Sequence, residues 1–337
     1  MTATLVISDL HLGNRRRLSV LTRKPALERL LSALDGYERL VLLGDALELL
    51  EVPVAHALAV AEPILRAIGA RLGPERELVL VPGNHDRLLV ARWLREHGAE
   101  LRPETPIPHD ATPLLQRVTG WLAPARISVS YPGVWLEDRV WATHGHYLDL
   151  HLFPVGAWGI ARGHLHALPR EGATPLDYER ARRPQLSPLL RRSPGPLAAL
   201  GDYLAELARA ATMPQLRRRV LQPRLAPLTS AALSIQMRRH ALPSLARVVR
   251  LLSVDADTVL FGHVHRLGPL AGDDPAQWLG AGGRPRLHNT GSWLYEPLLV
   301  HHVAPPHPYW PGGAISLDAG QPLPLGLLDD LRAGDLR

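Results

Sequence analysis

Short apolar runs alternate with helix-period stretches through the first 150 residues of the chain. The runs at Thr4–Ser8, Arg39–Leu43, Glu77–Val81 and Arg139–Thr143 predict strands. Between them, apolar residues spaced three and four apart predict helices near Pro25–Leu34, Pro53–Leu72 and Arg87–Glu96. Gly36 and Gly73 stand where helices end, and Pro53 suits a first helical turn. Alternation of this kind signals an α/β architecture.

The pattern changes after Leu150. From there to about Ser253 the chain is rich in Leu, Ala, Arg and Pro, and strand signals are few. Leu197, Leu200, Leu204, Leu207 and Ala211 trace one helix face, and Leu245, Val248, Val249 and Leu252 trace another. Strand patterns return at Asp257–Phe261, Arg286–Asn289 and Ala314–Leu317, with the Pro-rich loop "APPHPYWPGG" before the last. The expected organisation is a core over residues 1–150, a helical insertion or lid over 151–253, and the rest of the core with a C-terminal tail over 254–337.

Each strand candidate ends in polar residues of one kind. "LVIS" runs into Asp9 and His11, "LVLLG" into Asp45, and "LVLVPG" into Asn84, His85 and Asp86. "VWAT" runs into His144 and His146, and "TVLFG" into His263 and His265. In α/β sheets the crevice beyond the carboxyl ends of strands is where ligands bind, so five strands would bring carboxylates and imidazoles to one edge. The string Gly-His-x-His also occurs at His164 and His166, within a helical or irregular pattern. Positions i and i+2 of a helix do not face each other, so surface or packing roles are expected for that pair.

Composition narrows the chemistry. The 337 residues include no cysteine and 17 histidines, which excludes disulfides and thiolate ligands and points to His, Asp, Glu or Asn around a first-row metal. The formal charge of +6 invites a nucleic-acid reading. Yet Lys24 is the sole lysine among 38 basic residues, and the arginine clusters are scattered without interleaved aromatics, which argues for solvated surface. Hydrophobic residues at 46% and charged residues at 21% are ordinary for a soluble protein. No apolar run is long enough to span a bilayer, and the first residues lack the pattern of a secretory signal, so the expected location is cytoplasmic.

The order Asp-x-His, Gly-Asp, Gly-Asn-His-Asp, His-Gly-His, Gly-His-x-His resembles that of the calcineurin-like metallophosphoesterases, from Asp9 to His265 outside the insertion. The resemblance implies a four-layer αββα sandwich: two mixed β-sheets flanked by helices, with a two-metal site at the strand ends. It implies that Asp9, His11, Asp45 and His265 hold one divalent ion and that Asp45, Asn84, His144 and His263 hold the other. Manganese is the expected metal, with Fe, Zn, Co and Ni compatible. Asp45 would give one oxygen to each ion, and a hydroxide bridging them would attack phosphorus. His85 would meet the substrate, stabilising phosphoryl charge or protonating the leaving oxygen, with Asp86 orienting it.

Further candidates follow from position. Arg15, with Arg16 and Arg17, lies close after the first motif and suits a phosphate contact, and His146 suits a substrate or supporting role. Glu48, three residues after Asp45, is open between a ligand hydrogen bond and an exposed helix start. "HNTGSW" would build a supporting turn, with Thr290 and Ser292 as substrate-contact candidates.

The strings "SDLHLG", "GDALE", "HGH" and "NTGSW" are similar to bacterial enzymes of the UDP-2,3-diacylglucosamine pyrophosphatase type, whose helical insertion covers an acyl-chain site. That likeness implies a lipid- or nucleotide-linked substrate and peripheral membrane contact through the insertion. The chain carries His85, the general family form, where that branch carries Arg, and it lacks the Asp-Arg-Gly continuation of protein Ser/Thr phosphatases. The expected function is a phosphate monoester, diester or pyrophosphate hydrolase acting on a small molecule or lipid. A nuclease of the same fold and a non-catalytic metal-binding scaffold are the alternatives.

Overall fold

A computed structural model describes residues 3–16, 18–152, 169–181 and 226–337. The chain divides into two units: residues 1–146, 255–295 and 305–337 form the first, and residues 147–254 and 296–304 the second. His164, His166, Arg17 and the Leu197–Ala211 face lie outside the described residues.

The first unit is a mixed α/β fold built on two mixed sheets. Its helices are α1 (Lys24–Ala33), α2 (Val54–Leu72), α3 (Ala91–His97) and α4 (Pro113–Trp121). The larger sheet has seven strands: β1 (Thr4–Ile7), β2 (Arg39–Leu43), β3 (Glu77–Val81), β4 (Thr105–Pro106), β5 (Arg126–Tyr131), β10 (Gly313–Asp318) and β11 (Gln321–Gly326). Their order is β11-β10-β1-β2-β3-β5-β4, with β1, β2, β3 and β5 parallel and the rest antiparallel to their neighbours. The smaller sheet orders β6 (Gly133–Glu137), β7 (Val140–Thr143), β8 (Thr258–Phe261) and β9 (Arg286–Asn289), the last three parallel.

Period-2 alternation explains how the sheets pack. Val6, Val41, Leu43, Val79, Val81, Ile315 and Leu317 of the larger sheet share one core with Val134, Leu136, Val140, Ala142 and Leu260 of the smaller. The intervening Leu5, Ile7, Leu40, Leu42, Leu78 and Leu80 are equally buried on the opposite face. Strands covered on both faces read as continuous apolar runs, and each such side chain contributes ~1.5–3 kcal/mol on burial.

The strands that the apolar pattern predicts are all present, within a residue or two. Four others, β4, β5, β6 and β11, lie outside the predicted set. β11 pairs through Pro322 and Pro324, and it can do so because it is an edge strand with a neighbour on one side only. α4 opens on the Thr112 hydroxyl, which accepts from the Leu115 N–H at 3.0 Å, followed by Pro113.

In the second unit α5 (Pro175–Ala181), α6 (Ala226–Gln236) and α7 (Leu242–Leu251) are described. Leu245, Val248 and Val249 are buried along α7 as the helical spacing predicts. A π-turn at Met237–Ala241 joins α6 to α7. Pro243 has no N–H to give the carbonyl of Arg239, which accounts for the widened ladder just before it. Among the described residues no helix is long and apolar enough to cross a membrane.

Candidate metal centre

Loops after β1, β2, β3, β7 and β8 bring their polar residues together. Backbone bonds set the arrangement: the Asp9 N–H donates to the Gly44 carbonyl (3.0 Å), His11 N–H to Asp45 O (2.8 Å), and Gly262 N–H to His144 O (3.1 Å). Of nine described non-glycine residues with positive φ, five are Asp9, His11, Asp45, His263 and His265, with φ between 43° and 70°. Such conformations cost on the order of 1–3 kcal/mol and persist where the surroundings over-determine them, as at functional sites. Gly44 has φ +87° and passes so close to the His144 ring that a Cβ there would overlap it.

Three donor groups result, and in one of them, His11, Glu48 and His85, hydrogen bonds already join the members. Two others remain. In one, Asp9, His11 and His265 bring a ligand atom each within 4.8 Å of one another; in the other, Asp45, His144 and His263 do. Asp45 Oδ2 stands 3.8 Å from His11 Nε2 and 3.1 Å from His144 Nε2, so one oxygen faces both sets. Its Oδ1 instead accepts the His85 N–H at 2.8 Å. Asn84 Oδ1 lies 3.1 Å from His144 Nε2, on the second set.

The imidazoles are turned inward by their outer nitrogens. His144 Nδ1 lies 3.0 Å from the Leu43 carbonyl and so carries a proton, which turns Nε2 toward Asp45. His11 Nδ1 is held by Glu48 Oε2 at 3.1 Å. Asp9 Oδ1 and His11 Nε2 are buried with no hydrogen-bond partner. Unpartnered carboxylate oxygen and imidazole nitrogen, converging without sulfur, fit borderline divalent cations.

Electrostatics point the same way. Burial favours the neutral form of Asp9, yet His265 and His11 hold its carboxyl far below the ordinary range. Asp45 and Glu48 are likewise held low against their burial, Asp45 chiefly by His144 and His85, Glu48 by its bonds to His11 and His85. In return the carboxylates raise His11 and His85 above their ordinary value and lift His144 to about 9, although burial acts to lower all three. Three buried carboxylates thus hold positive charge around them, and a divalent cation would displace those protons on binding.

Glu48 is the residue that the sequence leaves undecided. It is 2% exposed, and its carboxylate contacts His85 Nδ1 at 2.8 Å and His11 Nδ1 at 3.1 Å while accepting the N–H groups of Leu50 and Glu51. The carboxylate beside His85 is therefore Glu48 and not Asp86. Asp86 turns away and accepts from Gly83 N–H (2.6 Å) and Ala46 N–H (2.8 Å), tying the β2 and β3 loops together. Burial and the charge of Asp45 push its carboxyl up to about 6, against those amides.

The remaining candidates separate. His146 is 1% exposed, with Nε2 3.3 Å from the Tyr131 hydroxyl and its ring beside His144. Thr290 and Ser292 are also buried and make no substrate surface. Arg15 is exposed and lines a groove of about 550 Å³ with Glu51, Val52, Pro53 and His56.

Residues 2–186 match the family model described as calcineurin-like phosphoesterase. The chain therefore belongs to the calcineurin-like phosphoesterase family, whose members are phosphoesterase hydrolases that usually bind divalent metals. No curated protein matches the chain at a significant level. Among solved structures it is similar to a cold-active protein-tyrosine phosphatase of the psychrophile Shewanella sp., at 13% identity and TM-score 0.34, covering 98% of this chain and 78% of that one. A point mutant described as a cold-active protein tyrosine phosphatase gives 14%, 0.32, 98% and 78%. At these scores the likenesses carry no argument about fold or function.

Proposed function

We propose that the protein is a dinuclear-metal-dependent hydrolase of phosphate esters or pyrophosphates. The observation that carries this reading is Asp45 Oδ2 lying between two sets of inward-facing imidazoles. Asp9, His11, Asp45 and His265 would hold one cation and Asp45, Asn84, His144 and His263 the other, with manganese the first choice. Bound there, such cations supply Lewis-acid polarisation of the phosphoryl oxygens and make water more acidic.

The residues supply the rest. Glu48 accepts a hydrogen bond from the Nδ1–H of His85 and favours the imidazolium, which leaves a second proton on Nε2 to face the substrate. As water attacks phosphorus in line and the P–O bond to the leaving group breaks, His85 Nε2–H gives its proton to the departing oxygen. Asp45 fixes the His85 backbone through its own Oδ1, so the acid and the cation nest share one support. Arg15, on the loop after β1, and His56, in the first turn of α2, line a groove suitable as a seat for the part of the substrate that is not cleaved. Val52 and Pro53 give that groove an apolar wall, which suits a lipid- or nucleotide-linked group.

The test is turnover by the purified, Mn²⁺-loaded chain on p-nitrophenyl phosphate, bis-p-nitrophenyl phosphate and a set of nucleotide and lipid pyrophosphates. Hydrolysis of at least one, abolished by chelator and reduced by about 10²–10⁴-fold in His85→Ala, is expected. No turnover on any of them, or identical turnover by His85→Ala, overturns the assignment.

A further inference from the structure

The two oxygens of the buried Asp9 carboxylate meet different surroundings. Oδ2 accepts the Ser8 hydroxyl and, at 2.9 Å, the His263 N–H. Oδ1 accepts nothing and faces His265 Nε2 at 3.1 Å and His11 Nε2 at 3.8 Å. Ser8 has a single proton, and it goes to Asp9. Its oxygen must then accept at its second contact, 2.6 Å from the Thr290 hydroxyl, which makes Thr290 the donor. Thr290 also lies 3.3 Å from the Phe261 carbonyl, and the shorter contact takes the proton.

A chain of two hydroxyls thus runs from the end of β9 in the smaller sheet to the end of β1 in the larger. Ser8, Thr290 and Asp9 are each exposed by 1% or less. Gly262 passes so close that a Cβ would fall on Ser8 Oγ and Asp9 Oδ2, so the backbone itself closes the compartment. The carboxylate torsion of aspartate is broad, and without these donors either oxygen could turn toward a cation.

We infer that Thr290 and Ser8 are positioning residues: their hydroxyl relay occupies Asp9 Oδ2 and reserves Oδ1 as the single oxygen offered to a cation in the first set. The inference rests on the metal reading above. It accounts for two strings at once, the serine of "SDLH" and the threonine of "NTGSW", neither of which reaches substrate.

The experiment is calorimetric titration of the full chain with Mn²⁺. Thr290→Val keeps the shape and removes the hydroxyl; Thr290→Ser keeps the hydroxyl and removes a methyl. Thr290→Val is expected to weaken one of the two binding steps by about 10–100-fold and leave the other near wild type, as loss of a ligand-orienting partner does. Thr290→Ser is expected to bind both ions as wild type does, although its Tm falls for the lost methyl. Wild-type affinity in Thr290→Val, or equal weakening in both variants, overturns the relay. If the unmodified chain takes up no Mn²⁺, the metal reading itself fails, and the two failures are distinct.

Discussion

Glu48→Gln is the sharpest perturbation of the proposed chemistry, because it preserves shape while changing what two histidines meet. The native carboxylate receives Nδ1 of His85 at 2.8 Å on Oε2 and 2.9 Å on Oε1, and Nδ1 of His11 at 3.1 Å on Oε2, while Oε1 also takes two backbone amides. A glutamine has one acceptor oxygen and an NH₂ that can only donate, so at least one histidine must surrender its Nδ1 proton and carry it on Nε2. For His11 that tautomer blocks a cation; for His85 it leaves a neutral ring, a weaker acid than the imidazolium that the carboxylate favours. A hydrogen bond to a charged partner is worth ~1.5–3 kcal/mol, or about 10–150-fold, so kcat/KM should fall about 10²–10³-fold when both arms suffer. The assay is a double-mutant cycle of Glu48→Gln with His85→Ala on bis-p-nitrophenyl phosphate. The two act through one unit, so Glu48→Gln should cost about tenfold less in the His85→Ala background than alone. Full additivity, or a single-variant loss under about threefold, would refute the reasoning.

Two further outcomes follow from other parts of the molecule. If Arg15 grips a part of the substrate that does not react, as proposed, Arg15→Ala should raise KM by about tenfold with kcat nearly unchanged, measured on a substrate with a second anionic group. Burial depresses His288 and His151 to about 4, aided by Arg286 and Arg247 respectively. The folded state therefore prefers these rings neutral, and stability is full above the ordinary value near 6.5, is lost as pH falls from there to about 4, and then levels off. His288→Leu should flatten that slope in a plot of Tm against pH; an unchanged slope counts against burial as its cause.

The larger part of the sheet frame was legible because strands covered on both faces read as unbroken apolar runs. β4, β5 and β11 were not, since edge and half-exposed strands tolerate Pro, Ser and Arg, and β6 was missed although Val134, Trp135 and Leu136 form an apolar run. The strand-end residues were legible as a group, since five motifs at five strand ends leave little room for coincidence. What the sequence could not show was hydrogen-bond direction. Adjacency suggested Asp86 as the partner of His85, but consecutive residues on a turn diverge, and the carboxylate that arrives comes from Glu48, thirty-seven positions away. The capping spacing after Asp45 was a signal, yet only tertiary contact separates a buried support from an exposed helix start. His146 shows a similar limit: its motif gives proximity to His144 and says nothing of which side faces solvent.

The central claim is that separate loops build one nest for a pair of cations around Asp45. Anomalous X-ray scattering from crystals grown with Mn²⁺ tests it most directly. Two peaks, both within bonding distance of Asp45 Oδ2, with one reached by His265 and the other by His263, are the predicted result. A single peak remote from Asp45, or no peak at saturating metal, would contradict the account.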